Sequence, residues 1–187
     1  KKTISFVGIP FAKPPVGDLR WKAPRELDSY PDTFKATTLP NRCMQVSNFY
    51  DSMDGIEGES IIGSEDCLYL NIYLSEKAYK SKEKLPVVFW IHGGGNTWGY
   101  SASNIFTSGD FILDHDVILV TTNYRLGPFG WFAYSGLNQD SENPLDSTAN
   151  FGTLDIIKSL EWVNKYISFF NGDPENITIF GESAGAR

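Results

Sequence analysis

No stretch of this sequence approaches the roughly 20 consecutive apolar residues that a membrane-spanning helix needs. Its opening, KKTISFVGIP, also lacks the uninterrupted apolar centre of a secretory leader, so a soluble chain, mature or trimmed at its front, is expected. Basic charge is short: 16 lysines and arginines face 23 aspartates and glutamates, a formal net charge of −7 with no local basic cluster. A protein that neutralises nucleic-acid phosphates carries the opposite footprint, so no nucleic-acid partner is expected. Cysteine is scarce. Cys43 and Cys67 stand outside any Cys-x-x-Cys pair, which argues against redox catalysis and zinc binding and leaves either a disulfide or two unrelated thiols. If paired, they close a loop of about 25 residues, restrict the unfolded chain by roughly 3.5 kcal/mol and imply an oxidising compartment. No internal repeat, low-complexity tract or Gly/Ser linker divides the chain.

What remains is a folding sequence of one domain's length: 187 residues whose 14% aromatic content excludes a disordered tail. Residues 1 to 40 are rich in proline, and GIPFAKPPVGDLRW reads as a short strand breaking into extended, turn-rich edge structure outside the core. Between the cysteines, CMQVSNFYDSMDGIEGESIIGSEDC mixes three glycines with six carboxylates and predicts a solvated surface flap. Strands are predicted at LYLNIYL (68–74), PVVFWIH (86–92) and VILVTTN (117–123); the last two are nearly continuous apolar runs of the kind covered on both faces. Ile156, Leu160, Val163, Ile167 and Phe170 form a helical stripe. NGDPENIT then supplies a stop and turn around Pro174, and ITIF (177–180) a fourth strand. Strand, helix, strand is a parallel crossover, so the expected class is α/β with a mostly parallel mixed sheet flanked by helices and its functional loops at the strands' carboxyl ends.

Two strand ends carry complementary residues. After VVFWIH comes GGGNTWG, Gly93 to Gly99. Three glycines in a row fit a flexible turn or a loop whose amides approach something closely; the Gly-Lys-Ser/Thr ending of a phosphate-binding loop is missing. His-Gly-Gly-Gly matches the loop whose N–H groups stabilise the oxyanion of an acyl-transfer intermediate. After ITIF comes GESAG, in which Ser183 sits on a strand-to-helix turn between Gly181 and Gly185. That turn raises the serine hydroxyl at the sheet's edge, and the helix beginning there directs its positive end and the Ala184 amide at the same oxyanion. Either motif alone is weak; about ninety residues apart, each after a buried-type strand, they support one another.

With these blocks in place, the chain resembles the type B carboxylesterases, a family that includes the cholinesterases and has the α/β-hydrolase fold. GIPFAKPPVGDLRW, EDCLYLNIY, HGGG, NYRLGPFGW, NFGTLD and GDPENITIFGESAGA carry the resemblance collinearly. It implies Ser183 as nucleophile, Gly94, Gly95 and Ala184 as oxyanion-hole amides, and Glu182 as a carboxylate beside the serine. It also implies a Cys43–Cys67 disulfide and two internal ion pairs, Arg20 with Glu65 and Arg125 with Asp155. Residues 1–187 would then be the amino-terminal portion of a single catalytic domain, ending just after the nucleophile turn. The family's acid and histidine follow the serine, so they would belong to the remainder of that domain, and the 187 residues by themselves would be a poor esterase that does not fold stably alone.

The resemblance thus implies a serine carboxylesterase acting on small-molecule carboxylic esters, with no metal or organic cofactor called for. The alternative is a non-catalytic, cholinesterase-like adhesion protein, against which Ser183 and the intact HGGG speak. Neither His92, within the oxyanion loop, nor His115, read as a surface residue near a helix end, is expected to be the base. The flap offers Phe49 and Tyr50 where choline-binding members place a tryptophan, which disfavours a cholinesterase, and Trp98 with Phe129 or Trp131 could line an acyl pocket. A bridged cysteine pair would place the protein in the periplasm or secretory pathway, where the sequon at Asn176 could be glycosylated.

Overall fold

A computed structural model describes residues 2–56, 58–81, 83–103, 115–137, 139 and 141–187. Five strands, β1 (Thr3–Pro10), β4 (Tyr69–Ser75), β5 (Leu85–Ile91), β6 (Ile118–Thr122) and β7 (Gly172–Gly181), form one sheet, while β2 (Gln45–Val46) and β3 (Ile61–Ile62) pair apart as a short ribbon. The sheet order is β1-β4-β6-β5-β7. β1 with β4 and β4 with β6 run antiparallel; β6 with β5 and β5 with β7 run parallel. The described helices are α1 (Glu76–Lys80), α2 (Gly127–Trp131) and α3 (Phe151–Tyr166).

The apolar runs fall where two-sided burial demands them. Every residue of β6 is buried, and in β5 the buried Val87, Phe89 and Ile91 alternate with half-buried neighbours. The helical stripe also holds: Trp162, Val163 and Ile167 are buried in the core, with Ile156, Leu160 and Phe170 packed against it. α3 ends in a single 3-10 turn, Ile167–Phe170, stopped by Asn171 in the left-handed region at φ +66°. The Asn171 side chain then donates to the carbonyls of Ala78, Tyr79 and Ser81, which ties this stop to the end of α1.

Two local expectations are corrected. The turn predicted around Pro174 lies earlier, at Asn171, and the strand runs from Gly172, so Pro174 is inside β7. Its missing N–H falls in the irregular stretch between the Leu85–Gly172 and Val87–Ile177 pairings, where the regular ladder with β5 is interrupted. Among the described residues β1 lies at one end of the sheet, yet Ile9, Phe11 and Ala12, in the start expected to lie outside the core, belong to it. A register shift between Phe6 and Ile9 accompanies that inward turn.

β5 has β6 on one side and β7 on the other, and α3 belongs to the crossover between those two. The order of connection therefore reverses at β5, and the carboxyl ends of β5 and β7 flank the crevice where such sheets place ligands. α3 is locked to the sheet by a buried ion pair. Arg125, just past β6, donates from its backbone N–H and Nε to Asp155 Oδ2 (3.0 and 2.8 Å) and from Nη2 to Oδ1 (2.8 Å). The second expected pair, Arg20 with Glu65, forms too, but on the surface, with Arg20's side chain 41% exposed, where such pairs contribute little. Replacing Asp155 by alanine leaves Arg125 buried and unpaired, so urea unfolding of the intact protein should show a loss of about 3–5 kcal/mol.

Candidate active site

In the parallel pairing of β5 with β7, Ile91 lies opposite Gly181. The next residues on each strand are therefore neighbours, which brings the His92–Gly99 loop against the Gly181–Gly185 turn. Gly93 packs so tightly there that a Cβ would collide with the Glu182 carboxylate and lie 3.0 Å from Ser183 Cβ. Ser183 itself takes φ +53°, a left-handed conformation costly for a non-glycine residue and typical of functional turns. It opens a 3-10 turn, Ser183–Ala186, in which the Gly185 N–H donates to Glu182 O at 2.8 Å. The serine is exposed at a cavity of about 540 Å³, lined also by Glu182, Gly93, Gly94, Gly95 and Trp98.

Gly94 adopts φ +102°, and its carbonyl accepts from the N–H groups of Thr97 (3.0 Å) and Trp98 (3.2 Å), folding the loop back on itself. The cavity thus has a serine hydroxyl on one wall and a glycine loop on the other. Phe129 and Trp131 do not share it: Phe129 lines a small void beside the disulfide, and Trp131 stands edge-on to Tyr124. Of the aromatic residues expected around the acyl pocket, Trp98 alone is brought to the serine.

Neither histidine is placed as a base. The His92 ring is buried, stacked on Tyr124 at 4.4 Å, with Nδ1 2.9 Å from Gly93 O, so its Nδ1–H is committed to that carbonyl. Burial pushes its pKa down to about 4; the Gly93 hydrogen bond opposes this and the Arg42 charge reinforces it. Tyr124 donates to His92 O at 2.6 Å, and its own pKa is raised above the usual range, first by burial and then by the Glu182 charge. His115 is exposed and precedes β6, at the end of the parallel strands remote from Ser183, with β6 itself spanning about 16 Å. The helix expected before His115 lies outside the described residues.

The flap is more ordered than its composition predicts. Cys43 and Cys67 form a disulfide, and Gln45, Ser47 and Asp51 are buried. Arg42 bridges to Asp51 at 3.1 Å and lies 4.2 Å over the Tyr100 ring, both within the lining of the same cavity. Gln45 reaches the glycine loop: its Nε2 donates to Gly99 O and its Oε1 accepts from Gly99 N–H, both at 2.9 Å. Phe49 is exposed, and the Tyr50 side chain lies outside what is described. Counting glycines and carboxylates signals solvation; it does not reveal that Arg42, Gln45 and Asp51 find partners across the fold. Among the described residues, no three His, Cys, Asp or Glu side chains are grouped to hold a metal ion.

His92 gives this site a pH signature. The unfolded imidazole titrates near 6.5 and the folded one near 4, so between these values the unfolded chain binds more protons and stability rises with pH. Acidification through that window should cost up to about 3 kcal/mol, fully regained above pH 6.5. Urea midpoints measured across pH 4–7 should lose this component in His92→Phe, which keeps the stack on Tyr124.

The whole chain, residues 1–187, matches the family model described as the carboxylesterase family. It is 41% identical over 178 residues to a para-nitrobenzyl esterase of Bacillus subtilis (strain 168), covering 95% of this chain and 34% of that protein. To a cholinesterase of Mus musculus it is 39% identical, covering 97% and 29%. Among solved structures, a thermophilic PNB esterase matches with a TM-score of 0.83 and 39% identity, over 98% of this chain and 35% of that one. The chain therefore spans about a third of the length of these relatives. With GESAG and HGGG facing each other across β5 and β7, and this likeness along its whole length, the chain belongs to the carboxylesterase family and has the α/β-hydrolase fold.

Proposed function

We propose that this chain carries the nucleophile and oxyanion-binding half of a serine carboxylesterase that hydrolyses small-molecule carboxylic esters. One observation carries the reading: Ser183, at φ +53° on the turn after β7, shares a cavity with the Gly93–Gly95 loop. Ser183 Oγ attacks the ester carbonyl carbon while a histidine takes its proton, and the carbonyl oxygen becomes an oxyanion held by the amides of Gly94, Gly95 and Ala184. The intermediate collapses to an acyl-enzyme as the alcohol leaves with that proton. Water then attacks the acyl carbon, releases the acid and restores the hydroxyl. Glu182 stands beside the serine, its charge felt by Tyr124.

The histidine and its acidic partner belong, in this reading, to the remainder of the same catalytic domain, of which residues 1–187 are the amino-terminal portion. Coverage of only about a third of the relatives supports this, as does the commitment of His92 Nδ1 to Gly93 O. The Cys43–Cys67 disulfide supports an oxidising compartment, secretory or periplasmic. No helix among the described residues is long and apolar enough to cross a membrane. Asn176, exposed on β7, is open to glycosylation in a eukaryotic secretory pathway.

In the intact protein, a fluorophosphonate probe should label Ser183, and Ser183→Ala should abolish labelling and lower kcat/KM on a p-nitrophenyl ester at least about 1000-fold. Undiminished turnover in Ser183→Ala removes the catalytic reading, and a wild-type protein that takes no label is a binding protein. Alkylation followed by mass spectrometry should find Cys43 and Cys67 unmodified in freshly isolated protein; two free thiols there would place it in the cytoplasm.

A further inference from the structure

We infer that Gln45 is a positioning residue for the oxyanion loop, an inference that rests on reading Ser183 and that loop as an acyl-transfer site. The Gln45 side chain is 5% exposed and makes three hydrogen bonds: Nε2 donates to Gly99 O and Cys43 O, and Oε1 accepts from Gly99 N–H, each at 2.9 Å. Both amide hydrogens are spent on carbonyls. A flipped amide would turn its oxygen toward two carbonyl oxygens and its NH2 toward an N–H, so a single orientation satisfies the network.

Gly99 is the fixed end of the glycine loop. At φ +135° it packs so closely that a Cβ would collide with the His92 ring and fall 2.8 Å from Gly93 O. Gly94 O holds Trp98 N–H next to it. The placement of Gly93, Gly94 and Gly95 opposite Ser183 therefore depends on where Gly99 is held, and Gln45 is the side chain that bonds both of its backbone polar groups. Through Cys43 O the brace is continuous with the disulfide, which anchors it on the side away from the loop. Gln45 touches no reacting atom; it acts through the loop's amides, whose fit to the oxyanion matters in the transition state and little to the bound ester.

The test compares Gln45→Met, which fills similar space without hydrogen bonds, and Gln45→Leu with wild type and Ser183→Ala in the intact protein. The readouts are kcat and KM on p-nitrophenyl butyrate, the Ki of an aryl trifluoromethyl ketone, whose serine adduct carries an oxyanion, and folding by circular dichroism. The expected result is a folded protein whose kcat falls about 10- to 100-fold and whose ketone Ki rises by the same factor, with KM changed less than about threefold. A folded variant with kcat and ketone Ki within about twofold of wild type overturns the inference while a dead Ser183→Ala leaves the esterase reading standing. Failure of both variants to fold also overturns it, because Gln45 would then be a determinant of the whole domain. Undiminished turnover in Ser183→Ala overturns the esterase reading and this inference with it.

Discussion

The parallel pairing of β5 with β7, in a register that sets Ile91 against Gly181, is the constraint on which the site depends. Sheet hydrogen bonding holds adjacent strands about 4.8 Å apart, and at that spacing the residues that follow the two strands must share one small volume. Gly93 against Glu182 and Ser183, and the left-handed φ of Ser183, are consequences of that crowding. A shift of the pairing by one residue would turn every side chain of β7 to the other face of the sheet and separate the serine from the glycine loop.

Polar contacts as well as apolar packing hold the elements around that pairing. α3 and the turn after it pack Trp162, Val163 and Ile167 into the core, and the Asp155–Arg125 pair ties α3 to the segment just past β6. On the opposite approach, the disulfide, Gln45 and the Arg42–Asp51 pair attach the 43–67 segment to the glycine loop. Buried polar groups are costly when unpaired, so each satisfied pair selects one arrangement of the loops among several that apolar contact alone would allow.

Much of this is legible in the residues. The continuous apolar runs of β5 and β6 and the stripe on α3 reveal the layers, because burial on both faces of a sheet and on one face of a helix leaves periods that a reader can count. GGG and GESAG are legible for a related reason: positive φ and close backbone approach need glycine or a strained residue wherever they occur. The fate of the flap is not legible. Gln45 and Asp51 look like ordinary polar surface residues within an acidic, glycine-bearing segment, and their burial depends on Gly99 and Arg42, which the local sequence does not place. Pro174 misleads for the same reason: a proline signals a turn, and only the pairing with β5 shows that it falls where the register shifts.

The sequence by itself determined which residue types are available for chemistry: one serine between glycines, three glycines after a histidine, two cysteines and few histidines, because the chemistry of a side chain belongs to the residue. Only the tertiary structure decided how they are used. It set Ser183 beside Gly93, withdrew His92 into a stack with Tyr124 at a pKa of about 4, and turned Gln45 from a flap residue into the brace of Gly99. The physical reason is that pairing register, burial and hydrogen-bond satisfaction join residues distant along the chain, and those relations exist only once the sheet has formed.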